Sequence, residues 1–274
     1  MGDRKIPDIP FSLRKKIGLA IGRFRMISPN DRILIGLSGG KDSLLLALAL
    51  AGLRRRSPVP FSLEACCVDI TGGETDTAPL EQFCAALDIP FSVRLHPILG
   101  IIEVRKERSP CSLCANIRRG ILNSEARERG CSVLALGHNL DDAVETALMN
   151  LFHAGRFRSF QPKYWQSRTD MTVIRPLIFA EERSIEKAVR HLSLPVLPYT
   201  CPFSKETERA RAKDLLAGLG ANNPRIKYNI VHALQSIDPR DGWTEKEREE
   251  THGDSSCGET HRGEMTWQGS TTIF

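Results

Sequence analysis

No stretch of the 274 residues approaches the length and apolarity of a membrane span, and Met1-Gly2-Asp3-Arg4-Lys5 lacks the apolar core of a secretory signal. A cytoplasmic protein with no membrane partner is the expectation. In that compartment the eight cysteines argue for buried thiols, metal ligands or redox chemistry rather than disulfides. Only one Cys-x-x-Cys occurs, so a four-thiolate zinc site would need a group from elsewhere. There is no internal repeat. Two common nucleotide motifs are also missing, since neither a Gly-Lys-Ser/Thr ending after four spacer residues nor a Gly-x-Gly-x-x-Gly is present.

What is there is Ser38-Gly39-Gly40-Lys41-Asp42-Ser43, between the apolar, β-prone run Ile33-Leu34-Ile35-Gly36-Leu37 and the helix-forming Leu44-Leu45-Leu46-Ala47-Leu48-Ala49-Leu50. This reads as strand, loop, helix. Adjacent glycines let several backbone N–H groups point into one concavity at the positive end of the following helix, which suits a pyrophosphate. The alternative is a polar turn in which Asp42 or Ser43 merely caps the helix.

Composition is that of a soluble globular protein, 41% hydrophobic and 26% charged, and the length allows a sizeable core. Charge is uneven: residues 240–274 carry −4 and the remainder +9. Clusters at Arg54-Arg55-Arg56, Arg118-Arg119, Arg156 with Arg158, and Arg209 with Arg211 and Lys213 together fit a polyanionic partner such as RNA, although each alone reads as a solvated face.

Strand and helix patterns alternate. Strands are expected at 32–37, Leu63–Val68, Phe91–Leu95 and Ser132–Leu136, and helices at Leu13–Met26, 43–53, Ala78–Leu87, Ala115–Glu128 and Asp141–Phe152. The fold class is α/β, a doubly wound, mostly parallel sheet with an α-helical C-terminal part built from Ile185–Leu192, Glu206–Leu219 and Pro224–Leu234. Ligands of such sheets sit at the carboxyl ends of strands. The glycine loop lies there, as do Asp69 and Gly137-His138. The chain divides into a basic helical region at 1–30, a nucleotide-binding α/β domain at 31–178, the helical part at 179–238, and an acidic, aperiodic tail at 239–274 expected to be disordered. Residues 155–165, with Arg156, Arg158, Lys163 and four intervening or flanking aromatics, read as an exposed contact loop suited to phosphates and base stacking.

Cys111 and Cys114, in Pro110-Cys111-Ser112-Leu113-Cys114, stand at a loop-to-helix junction where thiolates are favoured, and Cys201 follows in Tyr199-Thr200-Cys201-Pro202. Read from the residues, a redox dithiol, buried side chains, zinc with a further ligand, and a four-iron cluster with one open iron all remain in play. Cys66, Cys67, Cys84 and Cys131 read as small core residues.

The loop Ser38–Ser43 resembles the signature of the ATP-pyrophosphatase, or PP-loop, superfamily. With Cys111-Ser112-Leu113-Cys114-Ala115-Asn116-Ile117-Arg118-Arg119-Gly120, Gly137-His138-Asn139-Leu140-Asp141-Asp142, Val173-Ile174-Arg175-Pro176-Leu177 and Cys201, the chain over roughly 13–238 is similar to the tRNA-cytidine 2-sulfurtransferase family. The resemblance implies ATP and Mg²⁺ as co-substrate and cofactor, a [4Fe-4S] cluster on Cys111, Cys114 and Cys201, tRNA as substrate, a sulfur donor such as a cysteine desulfurase, and a homodimer. The implied reaction is adenylation of the C2 carbonyl of the anticodon-loop cytidine at position 32 and replacement of its oxygen by sulfur. Ser38, Gly39, Gly40, Asp42, Ser43, Asp69, Gly137 and His138 are then candidates for ATP binding, Asp42, Asp141 and Asp142 for metal or base roles, and Arg118, Arg119, Arg156, Arg158 and Lys163 for RNA. Ser204 stands where the family often has a further cysteine. Asn139-Leu140 replaces the family's usual His-Arg and resembles enzymes that thiolate uridines. The same chemistry on a uridine, or a non-catalytic iron–sulfur RNA-binding relative, are the alternatives.

Overall fold

The computed structural model describes residues 7–107, 109–198, 202–203 and 208–236. In chain order the elements are α1 (Phe11–Arg23), β1 (Arg32–Gly36), α2 (Lys41–Arg54), β2 (Ser62–Asp69), α3 (Ala78–Ala86), β3 (Phe91–Leu95), α4 (Ile98–Arg105), α5 (Pro110–Glu128), β4 (Val133–Ala135), α6 (Leu140–Ala154), β5 (Lys163–Gln166), β6 (Met171–Ile174), α7 (Glu182–His191), α8 (Glu208–Asn222) and α9 (Ile226–Gln235). Cys201 and residues 237–274, including Cys257, lie outside the described residues.

Six strands form one sheet in the order β3-β2-β1-β4-β6-β5, parallel throughout except for β5, which pairs antiparallel with β6. The chain runs outward from β1 through β2 to β3, then returns to the other side of β1 as β4. That reversal splays the connections after β1 and β4 and leaves a crevice at their carboxyl ends. Both motifs singled out in the sequence emerge there, Ser38–Ser43 after β1 and Gly137–Asp142 after β4.

Burial explains the strand composition: Ile33, Leu34 and Ile35 are fully buried because helices cover both faces of the parallel sheet. α2 is apolar all round, with Ser43 to Ala51 buried without a break, since it packs between the sheet and α7. α1 contributes Leu13, Ile17 and Ala20 to the same core, and Lys16 reaches Glu181 at 2.8 Å.

Three elements depart from the sequence expectation, α4, β5 and β6 (Met171–Ile174), the last being too short a run to mark a strand by itself. α4 was unforeseen because its eight residues have no capping signal and nearly no amphipathic pattern; Ile98 and Ile102 bury against Cys114 and Ile70. Part of the expected contact loop is instead strand β5, whose short run shows no alternation strong enough to read, and which takes its pairing from β6.

Candidate active site at the carboxyl edge of the sheet

The glycine loop is held open by its own side chains. Gly39 has φ +78° and its carbonyl accepts the Leu197 N–H at 3.0 Å; a Cβ there would lie 2.7 Å from Leu197 Cδ1. The buried Ser43 hydroxyl donates to the Gly40 carbonyl at 2.9 Å, accepts the Ser38 N–H at 3.2 Å, and lies 3.2 Å from Ser38 Oγ. The serines thereby fix the loop conformation, and the N-terminus of α2 faces the crevice with Lys41 and Asp42 in its first turn. Such a terminus favours negative charge.

The second motif is docked onto the first. Gly137 is required by close approach: a Cβ would sit 3.1 Å from the Asp42 carbonyl carbon and from Ser43 N. Asn139 and Asp142 form a reciprocal capping box on α6, with Asn139 N–H donating to Asp142 Oδ2 at 2.9 Å and Asp142 N–H donating to Asn139 Oδ1 at 3.1 Å. The Asn139 amide also donates to Asp42 Oδ1 at 2.9 Å. One side chain thus sets the distance between the two candidate carboxylates, Asp42 and Asp142.

Asp141, the neighbour of Asp142 in the first turn of α6, bonds to other partners. It is buried, accepts the Glu182 N–H at 2.7 Å and is bonded to Lys227 Nζ, so it anchors α7 and α9. Behind Asp142 lies a cavity of about 210 Å³ lined by Asn139, Asp142, Glu145, Glu182, Arg209 and Lys213 among others. Burial raises the Asp142 carboxyl above the usual range. Burial, then the charge of Asp142, pushes Glu145 up to about 7. Arg209 lies 3.4 Å from Asp142 and 3.7 Å from Glu145. Lys41 is 2.9 Å from Glu182 and 3.3 Å from Asp42, and although burial opposes it, these carboxylates hold its ammonium above the ordinary lysine value. Glu182 also takes Lys213 at 2.6 Å. With Glu145 on α6, Glu182 on α7 and Arg209 and Lys213 on α8, these groups come from three separate helices; the sequence carries no local signal for Glu182 and groups Arg209 and Lys213 only by charge.

Asp69 ends β2 at 2% exposure and accepts the Thr71 N–H and hydroxyl at 2.9 and 2.7 Å, the Thr75 hydroxyl at 2.7 Å and the Gly73 N–H at 2.8 Å. Burial raises its pKa, but these donors outweigh it and hold the carboxyl below the usual range. Its oxygens organise the loop after β2. His138 packs at 5.0 Å on the Phe160 ring, and its Nδ1 accepts from Arg175 Nε at 3.4 Å. Burial, then the nearby Arg175, Arg209, Arg119 and Arg118 charges, pushes the imidazole down to about 3.

Cys111 and Cys114 are one turn apart in the first turns of α5, the former exposed and the latter buried. Phe203, two positions beyond Cys201, packs on the same apolar cluster as Cys114. Two thiols at a helix start with the chain beyond Cys201 folded against them fit a soft-metal centre. The other cysteines behave as core: burial pushes the thiols of Cys66 and Cys131 up to about 11 and those of Cys67 and Cys84 up to about 12. Arg118 and Arg119 are half-buried on α5, and Arg156 and Arg158 are exposed on the connection after α6. Lys163 donates to the Arg25 carbonyl, so it ties β5 to the turn after α1.

A PP-loop domain family matches residues 13–196. The chain is 37% identical to a tRNA-cytidine(32) 2-sulfurtransferase of Geobacter metallireducens over 238 residues, covering 83% of this chain and 90% of the relative. It is 38% identical to one of Pelobacter propionicus over 234 residues, covering 83% and 86%. Among solved structures, the U34-tRNA thiolase NcsA of Methanococcus maripaludis, with its [4Fe-4S] cluster, superposes with TM-score 0.66 at 28% identity, covering 82% of this chain and 76% of that one.

Proposed function

Because the chain belongs to the PP-loop family and, within it, to the tRNA-cytidine(32) 2-sulfurtransferases, we propose that it is an ATP-dependent tRNA sulfurtransferase that converts an anticodon-loop cytidine to 2-thiocytidine. The observation that carries this reading is the docking of Gly137 and Asn139 onto Asp42, which joins the phosphate loop and the acidic motif into one site.

The base carbonyl oxygen is a poor leaving group. Its attack on the α-phosphorus of ATP releases pyrophosphate and makes it one, and a sulfide equivalent then adds at C2 and expels AMP, with no net oxidation. The amides of Ser38–Asp42 and the α2 N-terminus take the β- and γ-phosphates, and Lys41 turns from Glu182 toward the added negative charge. Asp42 and Asp142 would hold Mg²⁺, which when bound neutralises charge developing on the phosphates. Cys111, Cys114 and Cys201 would hold the [4Fe-4S] cluster, which when bound supplies sulfur from the iron that no cysteine occupies. Gly137 keeps the α6 motif close enough to act on the same nucleotide. Arg118, Arg119, Arg156 and Arg158 take the RNA phosphates. A sulfur donor of the cysteine desulfurase kind feeds a cytoplasmic homodimer.

The test uses anaerobically purified protein, ATP, sulfide and tRNA from a strain lacking the gene. Expected are tRNA-dependent AMP release, 2-thiocytidine on nucleoside analysis, and loss of iron and of product in Cys201→Ala. AMP release without any thiolated base would sink the proposal. A uridine product would favour the second reading, which the Asn139-Leu140 pair and the likeness to the U34 thiolase support.

A further inference from the structure

Arg175 follows β6 at 4% exposure, yet among the described residues no carboxylate lies within 4.0 Å of it. Buried Glu64 and Glu125 are ion-paired, Glu64 with Arg32 and Arg129 at 2.8 Å each and Glu125 with Arg94 and Arg129, whereas buried Asp69 is held by hydroxyl and backbone donors. A buried cation without a counter-ion is unfavourable, so what it touches indicates what it does. Its contacts are neutral. Nε lies 3.4 Å from His138 Nδ1, Nη1 lies 2.6 Å from the Gln161 carbonyl, and the Tyr164 hydroxyl is within hydrogen-bonding reach. The rings of Phe160 and Tyr164 cover its faces at 4.6 and 5.2 Å, and its own N–H donates to the Pro162 carbonyl at 2.9 Å.

A guanidinium offers donors only, so the imidazole atom facing it accepts; Nδ1 carries no proton and Nε2 does. We infer that Arg175 is a positioning residue that locks His138 as the neutral, Nε2-protonated tautomer, so that the imidazole presents a hydrogen-bond donor, and not a base, beside the phosphate loop. The ligand is an oxygen acceptor of the substrate, either a nucleotide phosphoryl oxygen or the activated carbonyl of the base, which rests on the function proposed above. The surroundings enforce the state. His138 contacts Arg175 after β6 and the Phe160 ring and feels the charges of Arg209 on α8 and Arg119 and Arg118 on α5, while Asp142 on α6 is the acid acting on Arg175. Burial and those cations keep the ring unprotonated throughout the physiological range.

The experiment is long-range ¹H–¹⁵N spectroscopy of the full chain with labelled histidine, His138 being assigned as the signal that His138→Gln removes. Wild type should show Nδ1 unprotonated, Nε2 protonated, and no titration between about pH 5 and 8. In Arg175→Met, with folding checked by a thermal melt, the tautomers should mix and the His138 pKa rise by about one unit or more. The kcat for tRNA-dependent AMP release should fall about tenfold, while Arg175→Lys, which keeps a charged donor, restores the tautomer. A KM for ATP that rises about as much would assign the acceptor to the phosphoryl group, and an unchanged one to the base carbonyl. A wild-type His138 protonated on Nδ1, or titrating near its ordinary value, overturns the inference. So does a spectrum unchanged in a folded Arg175→Met. If that variant does not fold, the wild-type spectrum decides alone. Absence of thiolated tRNA product would refute the function above while leaving the tautomer to stand or fall on its spectrum.

Discussion

Gly137 is a single residue on which two motifs depend, because the atoms its missing Cβ would strike are backbone and cannot swing aside. Gly137→Ala should therefore destabilise the fold by about 1–3 kcal/mol and abolish ATP turnover, read by urea unfolding and AMP release. Gly39→Ala would meet Leu197 at 2.7 Å and also needs φ +78°, so a loss at least as large follows. Glu145 makes a prediction in pH. Its folded pKa of about 7 lies above the unfolded value, so between about 4.5 and 7 the folded state binds the extra proton. Stability from this group is fully present below the unfolded value and is lost as pH rises to 7. Glu145→Gln should flatten that part of a stability-against-pH curve, and a slope unchanged by the substitution would refute the assignment. At this scale the phosphate loop, the cysteine pair and the Gly137–Asp142 motif could be read directly, since each is a contiguous run with its own backbone chemistry. The missing counter-ion of Arg175 and the raised pKa of Glu145 could not, because burial and neighbouring charge decide both and neither is written locally.

Among the elements, α9 has no buried residue and sits on α6 through the partly buried Ile230 and Val231 and the Lys227–Asp141 ion pair. Removing the cation leaves a buried carboxylate short of a partner. Lys227→Met is expected to cost about 1–3 kcal/mol in chemical denaturation and to loosen α9 first in hydrogen exchange. α2 depends on the opposite physics, bulk apolar burial, and Leu46→Ala there should cost about 2–5 kcal/mol. Parallel strands β1 to β4 were legible because apolar runs between helices leave few alternatives. α4, β5 and β6 were not, being short pieces whose state is decided by the partner they pack or pair with.

For the whole molecule, the governing term is charge: the chain is +5 overall, yet +9 outside residues 240–274. Among the described residues Arg118, Arg119, Arg156 and Arg158 have no carboxylate within 4.0 Å, leaving them available to phosphates. Arg118→Gln with Arg119→Gln should lower the slope of log affinity for tRNA against log salt by about 2, with ATP binding in the absence of RNA unchanged. An unaltered slope would remove these two residues from the RNA surface.

By itself the sequence determined the chemistry available: a glycine loop shaped for phosphate, thiols one helical turn apart, paired acids at a helix start, and apolar runs that can be satisfied only inside a parallel sheet. These are properties of neighbouring residues, and short-range sterics and hydrogen bonding suffice to specify them. Tertiary structure alone decided which groups share a site. The reversal of strand order beside β1 brings Gly137 and Asn139 onto Asp42, and helices more than a hundred residues downstream of the loop deliver Glu182, Arg209 and Lys213 to it. Such meetings arise from the packing of distant segments, and so do the shifted protonation states of His138 and Glu145 that depend on them.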